Sequence, residues 1–112
     1  MALLGCVGTP VRTGGREMYG LIGKITATPG QRAGLLDALT SGSRTMPGNL
    51  SYVVAEDAAD ADVLWVTEVW DSAESHKASL QLPQVQEAIR RGRPLIAGFE
   101  TIATTRPLTG VS

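Results

Sequence analysis

Asp62-Val63-Leu64-Trp65-Val66-Thr67-Glu68-Val69-Trp70, continued without a break by Asp71-Ser72-Ala73-Glu74-Ser75-His76, holds a strand, Val63 to Trp70, that runs straight into a capped helix. Asp71 or Ser72 opens the helix as its N-cap, and Glu74, three residues after Asp71, supplies the reciprocal half of a capping box. Both tryptophans, a carboxylate at a strand position and the chain's single histidine fall between positions 65 and 76. Most of the remainder is aliphatic, small or turn-forming, so a chemical site is expected here. Strand parity divides the stretch between two surfaces: Leu64, Val66, Glu68 and Trp70 point one way, Trp65, Thr67 and Val69 the other.

Upstream of this stretch, Tyr19, Leu21, Ile25 and Ala27 alternate with Gly20, Lys24 and Thr26, the period of a half-buried strand. Thr28-Pro29-Gly30-Gln31 follows as a helix start, with Thr28 as N-cap, Pro29 at the first helical position and Gln31 reaching back. Leu35, Leu36 and Leu39 recur at helical spacing and are core residues. Met46-Pro47-Gly48-Asn49 breaks the chain, Leu50 to Ala55 is a second strand, and residues 56–62 form an acidic loop. Downstream, Ala73, His76 and Leu80 share a helix face. Pro83 interrupts or restarts that helix, Val85, Ala88 and Ile89 mark the inner face of its continuation, and Gly92 and Pro94 end it. A last strand is expected from Phe99 to Arg106.

Strand, helix, strand, strand, helix, strand is the ferredoxin-like α+β arrangement, βαββαβ, an antiparallel sheet with its helices on one face. The other face carries Trp65, Val69 and further apolar residues at alternate positions. A large apolar patch is seldom left open in a soluble monomer, so a homodimer closing two sheets face to face is expected.

With 112 residues the chain is one domain. Its net charge of −1, without a run of either sign, gives no electrostatic basis for binding nucleic acid or an anionic membrane. A single cysteine, Cys6, makes no internal disulfide, and one histidine makes no zinc cluster, so the chain reads as cytoplasmic and without a structural metal. Residues 1–18 read as an arm or leader, 19–108 as the folded domain and 109–112 as a tail. Leu3-Leu4-Gly5-Cys6 superficially matches a lipoprotein cleavage box, but the residues ahead of Cys6 are too few for the apolar run of a secretory signal. Met18 is an alternative natural start.

Met46-Pro47-Gly48-x-Leu50-Ser51-Tyr52, the Glu68-Val69-Trp70 strand end, the helix opened by Asp71-Ser72, and Ala78-Ser79-Leu80-Gln81-Leu82-Pro83 together resemble the antibiotic biosynthesis monooxygenase family, of dimeric α+β barrel fold. The resemblance covers about Tyr19 to Pro107. It implies a cavity between the sheet and its helices within each subunit, and an activity that in quinol and anthrone oxygenases uses neither metal nor flavin. Trp70 matches the family tryptophan at the strand end, and His76 falls where one anthrone-oxygenase type has a pocket tyrosine. Ser79 and Gln84 stand where quinol-oxygenase-like members carry histidines. Gly23, Ser79 and Ile89 stand where the haem-degrading branch has asparagine, tryptophan and the haem-ligating histidine, so haem degradation is not expected.

The resemblance implies deprotonation of an electron-rich phenol, hydroquinone or anthrone, electron transfer from its anion to dioxygen, and collapse of a peroxide to a quinone. The substrate does the redox work, and no cofactor is expected. His76 is the candidate catalytic base, since imidazole titrates near neutral pH. Trp70 is the candidate aromatic wall of the pocket, with Val66 and Ser79 beside it, and Tyr52 and Arg90 as groups that would hold oxyanions. Against this stands a plainer role for each: His76 as a hydrogen-bonded core residue, Trp70 as an anchor, Glu68 as a carboxylate paired with Arg or Lys or bonded to backbone, and Tyr52 and Arg90 at the surface. The alternative function is a non-catalytic dimeric module that binds a small apolar ligand or simply assembles.

Overall fold

The structure, a computed structural model, describes residues 17–42 and 45–109. Cys6 and the apparent lipoprotein box lie outside the described residues, as does nearly all of the arm and tail.

Tyr19-Gly20-Leu21-Ile22-Gly23-Lys24-Ile25-Thr26-Ala27 forms β1 (Tyr19–Ala27), in which Gly23, Ile25 and Ala27 are buried at alternate positions. The next four residues make a turn rather than a helix start. Gln31 N–H donates to the Thr28 carbonyl at 2.9 Å, and Gly30 has φ +78°, the arrangement of a type II turn with Pro at its second position and Gly at its third. A positive φ is incompatible with a helix, so α1 (Arg32–Ser41) begins only at Arg32, preceded by Gln31 with no side-chain cap. Thr28 is therefore not the N-cap the sequence suggested.

Met46-Pro47-Gly48-Asn49 is a second turn of the same kind: Asn49 N–H donates to the Met46 carbonyl at 3.0 Å and Gly48 has φ +85°. It leads into β2 (Asn49–Glu56), which pairs antiparallel with β3 (Val63–Trp70). Glu56 belongs to the strand, so the connecting loop is one residue shorter than expected. Asp57 organises that loop: Oδ2 accepts the backbone N–H groups of Ala59 and Asp60, and Oδ1 accepts the indole N–H of Trp65 at 2.8 Å.

Ser72 caps α2 (Ala73–Ser79), its Oγ accepting the Ser75 N–H at 3.1 Å, while Asp71 Oδ1 accepts from the Ser75 hydroxyl. Ser75, and not Glu74, is thus the residue that bonds to both Ser72 and Asp71; Glu74 sits in the first turn, where a negative charge suits the helix dipole. Pro83 starts a separate helix, α3 (Pro83–Gly92), from a position where its missing N–H is not needed. A short 3-10 turn, Arg93–Leu95, then delivers the chain to β4 (Ile96–Thr105). This strand begins at Ile96, ahead of the expected Phe99, because Ile96 already pairs with Ala27 while Leu95 accepts a hydrogen bond from Thr28 N–H at 2.8 Å.

The sheet order is β2-β3-β1-β4, antiparallel throughout, with the helices on one face. This is the ferredoxin-like α+β fold that the element order predicts. Ile25, Ala27, Leu35, Leu64 and Val66 form the core, with Leu36, Leu39 and Leu95 packed on it. α1 and α3 approach closely, since a Cβ built on Gly42 would come within 2.5 Å of Ala88 Cβ. Arg91 spans the pair, reaching Asp37 at 3.1 Å and Ser41 at 3.0 Å. The opposite sheet face leaves Val53 and Ile102 about half exposed, with Trp65 beneath the Lys24 ammonium at 5.9 Å. No helix among the described residues is long and apolar enough to cross a membrane.

Candidate active site

Alternation along the strands decides what faces the helices. β1 turns Tyr19, Leu21 and Ile25 inward, β3 turns Val66, Glu68 and Trp70 the same way, and register places Tyr19 opposite Trp70 and Tyr52 of β2 opposite Glu68. Above them α2 contributes His76 and Ser79, and α3 contributes Val85, Ala88 and Ile89. The space enclosed is a cavity of about 610 Å³ within one subunit, its wall mostly apolar. That volume lies in the range of small-molecule sites, which surround a few polar groups with hydrophobic surface.

Trp70 is 1% exposed, and its indole N–H donates to Glu68 Oε1 at 2.9 Å. Glu68 was expected to pair with a cation or with backbone; its partner is instead a neutral indole two residues along the same strand. The nearest phenol feels the carboxylate. Burial first, and the Glu68 charge second, push the Tyr52 hydroxyl up to about 12.

His76 lies half-buried between two rings, its imidazole centroid 5.5 Å from Trp70 in an edge-on arrangement and 5.6 Å from Tyr19. Its ring makes no hydrogen bond among the described residues, so the packing is aromatic rather than the hydrogen-bonded packing considered for a core histidine. Ser79, 4% exposed, spends its hydroxyl on the His76 carbonyl at 2.6 Å and thereby steadies the last turn of α2.

His76, Trp70, Tyr52, Val66 and Ser79 therefore all line the cavity. Arg90 does not. It lies on the outer side of α3, paired with Glu87 beside a shallow depression it shares with Arg93 and Pro94. Arg90 follows inward Ala88 by two residues, about half a turn of α3, which points it away from the sheet, so Arg90 is not placed to hold a ligand in the cavity. Tyr19, Met46, Phe99 and Thr101 also line it and were not singled out from sequence. Tyr19 was accessible by pairing, because an antiparallel β1–β3 neighbour sets it opposite Trp70. Phe99 was not, since it depends on where β4 starts. No group of three or more His, Cys, Asp or Glu side chains suited to a metal occurs among the described residues.

The sequence profile of the antibiotic biosynthesis monooxygenase family matches residues 18–91. The chain belongs to that family. Its members of known structure include a protein from Chloroflexus aurantiacus J-10-fl assigned to the same family, 62% identical, with a TM-score of 0.80 over 83% of this chain and 95% of that one. PA3566 from Pseudomonas aeruginosa superposes with a TM-score of 0.75 at 20% identity, covering 87% of this chain and all of that one (100%). A Nitrosomonas europaea protein of the same description gives 0.76 at 14% identity over 88% and 96%. These last two share the fold. Among curated proteins there is no match.

Proposed function

We propose that this member of the antibiotic biosynthesis monooxygenase family oxidises a small electron-rich aromatic, of quinol, phenol or anthrone type, with dioxygen and without a cofactor. What supports the reading most is the imidazole of His76, without a hydrogen bond among the described residues, facing a largely apolar cavity beside the Trp70 ring. An imidazole unbound to protein is available to take the proton of a phenol or of an anthrone methylene. The apolar wall lowers the local dielectric and holds a flat ligand against Trp70, so orientation comes from shape.

The chemistry balances without a resident metal or flavin. The substrate anion gives one electron to dioxygen, the radical pair joins in a carbon–oxygen bond, and the peroxide loses water. One oxygen atom remains as the new carbonyl and the other leaves in water; the two hydrogens lost come both from the methylene carbon of an anthrone, and one from a ring C–H and one from the hydroxyl of a phenol or a hydroquinone with a free ring position. The protein supplies a base, a dry pocket and alignment.

In this reading two copies close their uncovered sheet faces on one another, burying Val53, Ile102 and the Trp65 side of β3. The working compartment is the cytosol, in keeping with a chain whose single cysteine forms no internal disulfide. Oxygen uptake by the purified protein with a panel of hydroquinones and anthrones tests the proposal. Uptake no faster than in buffer for every donor removes the oxygenase reading, and saturable ligand binding without uptake establishes the cavity as a non-catalytic binding site.

A further inference from the structure

We propose that Glu68 makes the cavity select neutral, hydroxyl-bearing aromatic ligands: its free carboxylate oxygen accepts the ligand's O–H, and its charge turns away carboxylated molecules of the same shape. The inference rests on reading the cavity as a ligand site and deepens that reading by naming the class it takes.

Glu68 is half-buried on β3, a central strand, and lines the cavity. Oε1 is occupied by the Trp70 indole, whereas Oε2 has no hydrogen-bond partner among the described residues. Among the described residues no lysine or arginine lines the cavity. The ion pairs of the described residues join Arg32 to Glu56, Arg90 to Glu87, Arg91 to Asp37 and Arg106 to Glu17, all elsewhere. A carboxylate in such surroundings is stabilised by donors, and one donor is too few for its four lone-pair sites.

Tyr52 faces Glu68 across the β2–β3 ladder; burial first and the Glu68 charge second raise its phenol, and the second of these causes carries the same sign for any further negative charge beside Glu68. An incoming carboxylate meets the same penalty, with no cation to offset it. A neutral hydroxyl meets the opposite situation, because hydrogen bonds to an ionised acceptor are about twice as strong as neutral ones. Trp70 holds the carboxylate in place, so the acceptor is already oriented when the ligand arrives.

Calorimetric titration of the full chain under nitrogen with naphthol, its methyl ether and naphthoate tests this at neutral pH, where naphthoate is ionised and no turnover occurs. The wild-type protein is expected to bind naphthol about tenfold more tightly than the ether, which lacks the donor, with naphthoate weakest. Glu68→Gln keeps an acceptor for Trp70 and removes the charge, and is expected to move the naphthoate-to-naphthol affinity ratio about tenfold toward naphthoate. The ether binding as tightly as naphthol overturns the proposal, and that arm needs no variant. So does an unchanged ratio in Glu68→Gln, or binding of none of the three. Naphthol selectivity with no oxygen uptake from any donor would leave this inference standing and remove the oxygenase reading; uptake without the selectivity would do the reverse.

Discussion

The indole N–H of Trp70 donates to Glu68 Oε1 at 2.9 Å, between two residues that stand side by side on the inner surface of β3. Among the described residues, the bond joins the largest fully buried side chain to the one carboxylate of the cavity wall. Trp70→Phe removes the donor and leaves a half-buried carboxylate with no hydrogen bond, which costs about 1–3 kcal/mol. Urea unfolding should show a lower midpoint with an unchanged slope. A midpoint equal to that of the wild type would mean the bond contributes nothing.

The Tyr52 hydroxyl gives a stability signature at alkaline pH. Its folded-state value, about 12, lies above the ordinary 10.0, because burial and then Glu68 disfavour the phenolate. The folded chain therefore holds this proton when the unfolded chain has released it. The contribution is fully present below pH 10.0 and is lost as pH rises through about 12. Relative to Tyr52→Phe, the wild type should lose about 2 kcal/mol across that window, measured by urea unfolding at a series of pH values. Parallel curves for the two proteins would contradict the assignment.

Asp57 reports at the other end of the scale. The Trp65 indole first, then the backbone N–H groups of Asp60 and Ala59, hold its carboxyl at about 2, below the ordinary 3.8. The stabilisation it gives the β2–β3 loop is present above pH 3.8 and is lost as pH falls through about 2. In Trp65→Phe the largest of these donors is gone, and an NMR titration of Asp57 should show its midpoint moved upward. An unmoved midpoint would show that the backbone donors alone hold it.

Gly48 sits at φ +85°, and a Cβ there would come within 2.5 Å of the Ser75 side chain. Gly48→Ala combines a strained backbone with a clash against α2, and is expected to destabilise the protein by about 2 kcal/mol. For a domain of this size a thermal melt should fall by roughly 5–10 °C. A melt unchanged from wild type would mean that the turn relaxes freely.

Much of this fold is written in short-range patterns. β3 was read with its observed limits, because alternating apolar residues end at a helix cap, and that parity also separated Trp70 from Trp65. What failed is instructive. Thr28-Pro29-Gly30-Gln31 satisfies both a capping box and a type II turn, and only the contacts of Gly30 N–H with Asp62 and of Thr28 with Leu95 decide for the turn. Serine capping serine at Ser72 and Ser75 was hidden by an acidic residue one position earlier. At the site, the sequence leaves open whether Arg90 reaches the cavity, and the structure puts it on the outer side of α3 beside Glu87. Glu68 was recognised as inward, but its partner could not be read, since an indole two residues away on a strand is not a usual carboxylate partner.

His76 and Arg90 carry the central claim in opposite senses, one lining the cavity and the other outside it. The decisive measurement is an oxygen-electrode trace of chelator-treated protein with each hydroquinone and anthrone of the panel, run beside His76→Ala and Arg90→Ala. The account predicts one dioxygen consumed per quinone formed, a rate about 100-fold lower in His76→Ala, and a rate within about twofold of wild type in Arg90→Ala. Oxygen uptake no faster than in buffer for every donor, or uptake that His76→Ala leaves intact, would contradict it.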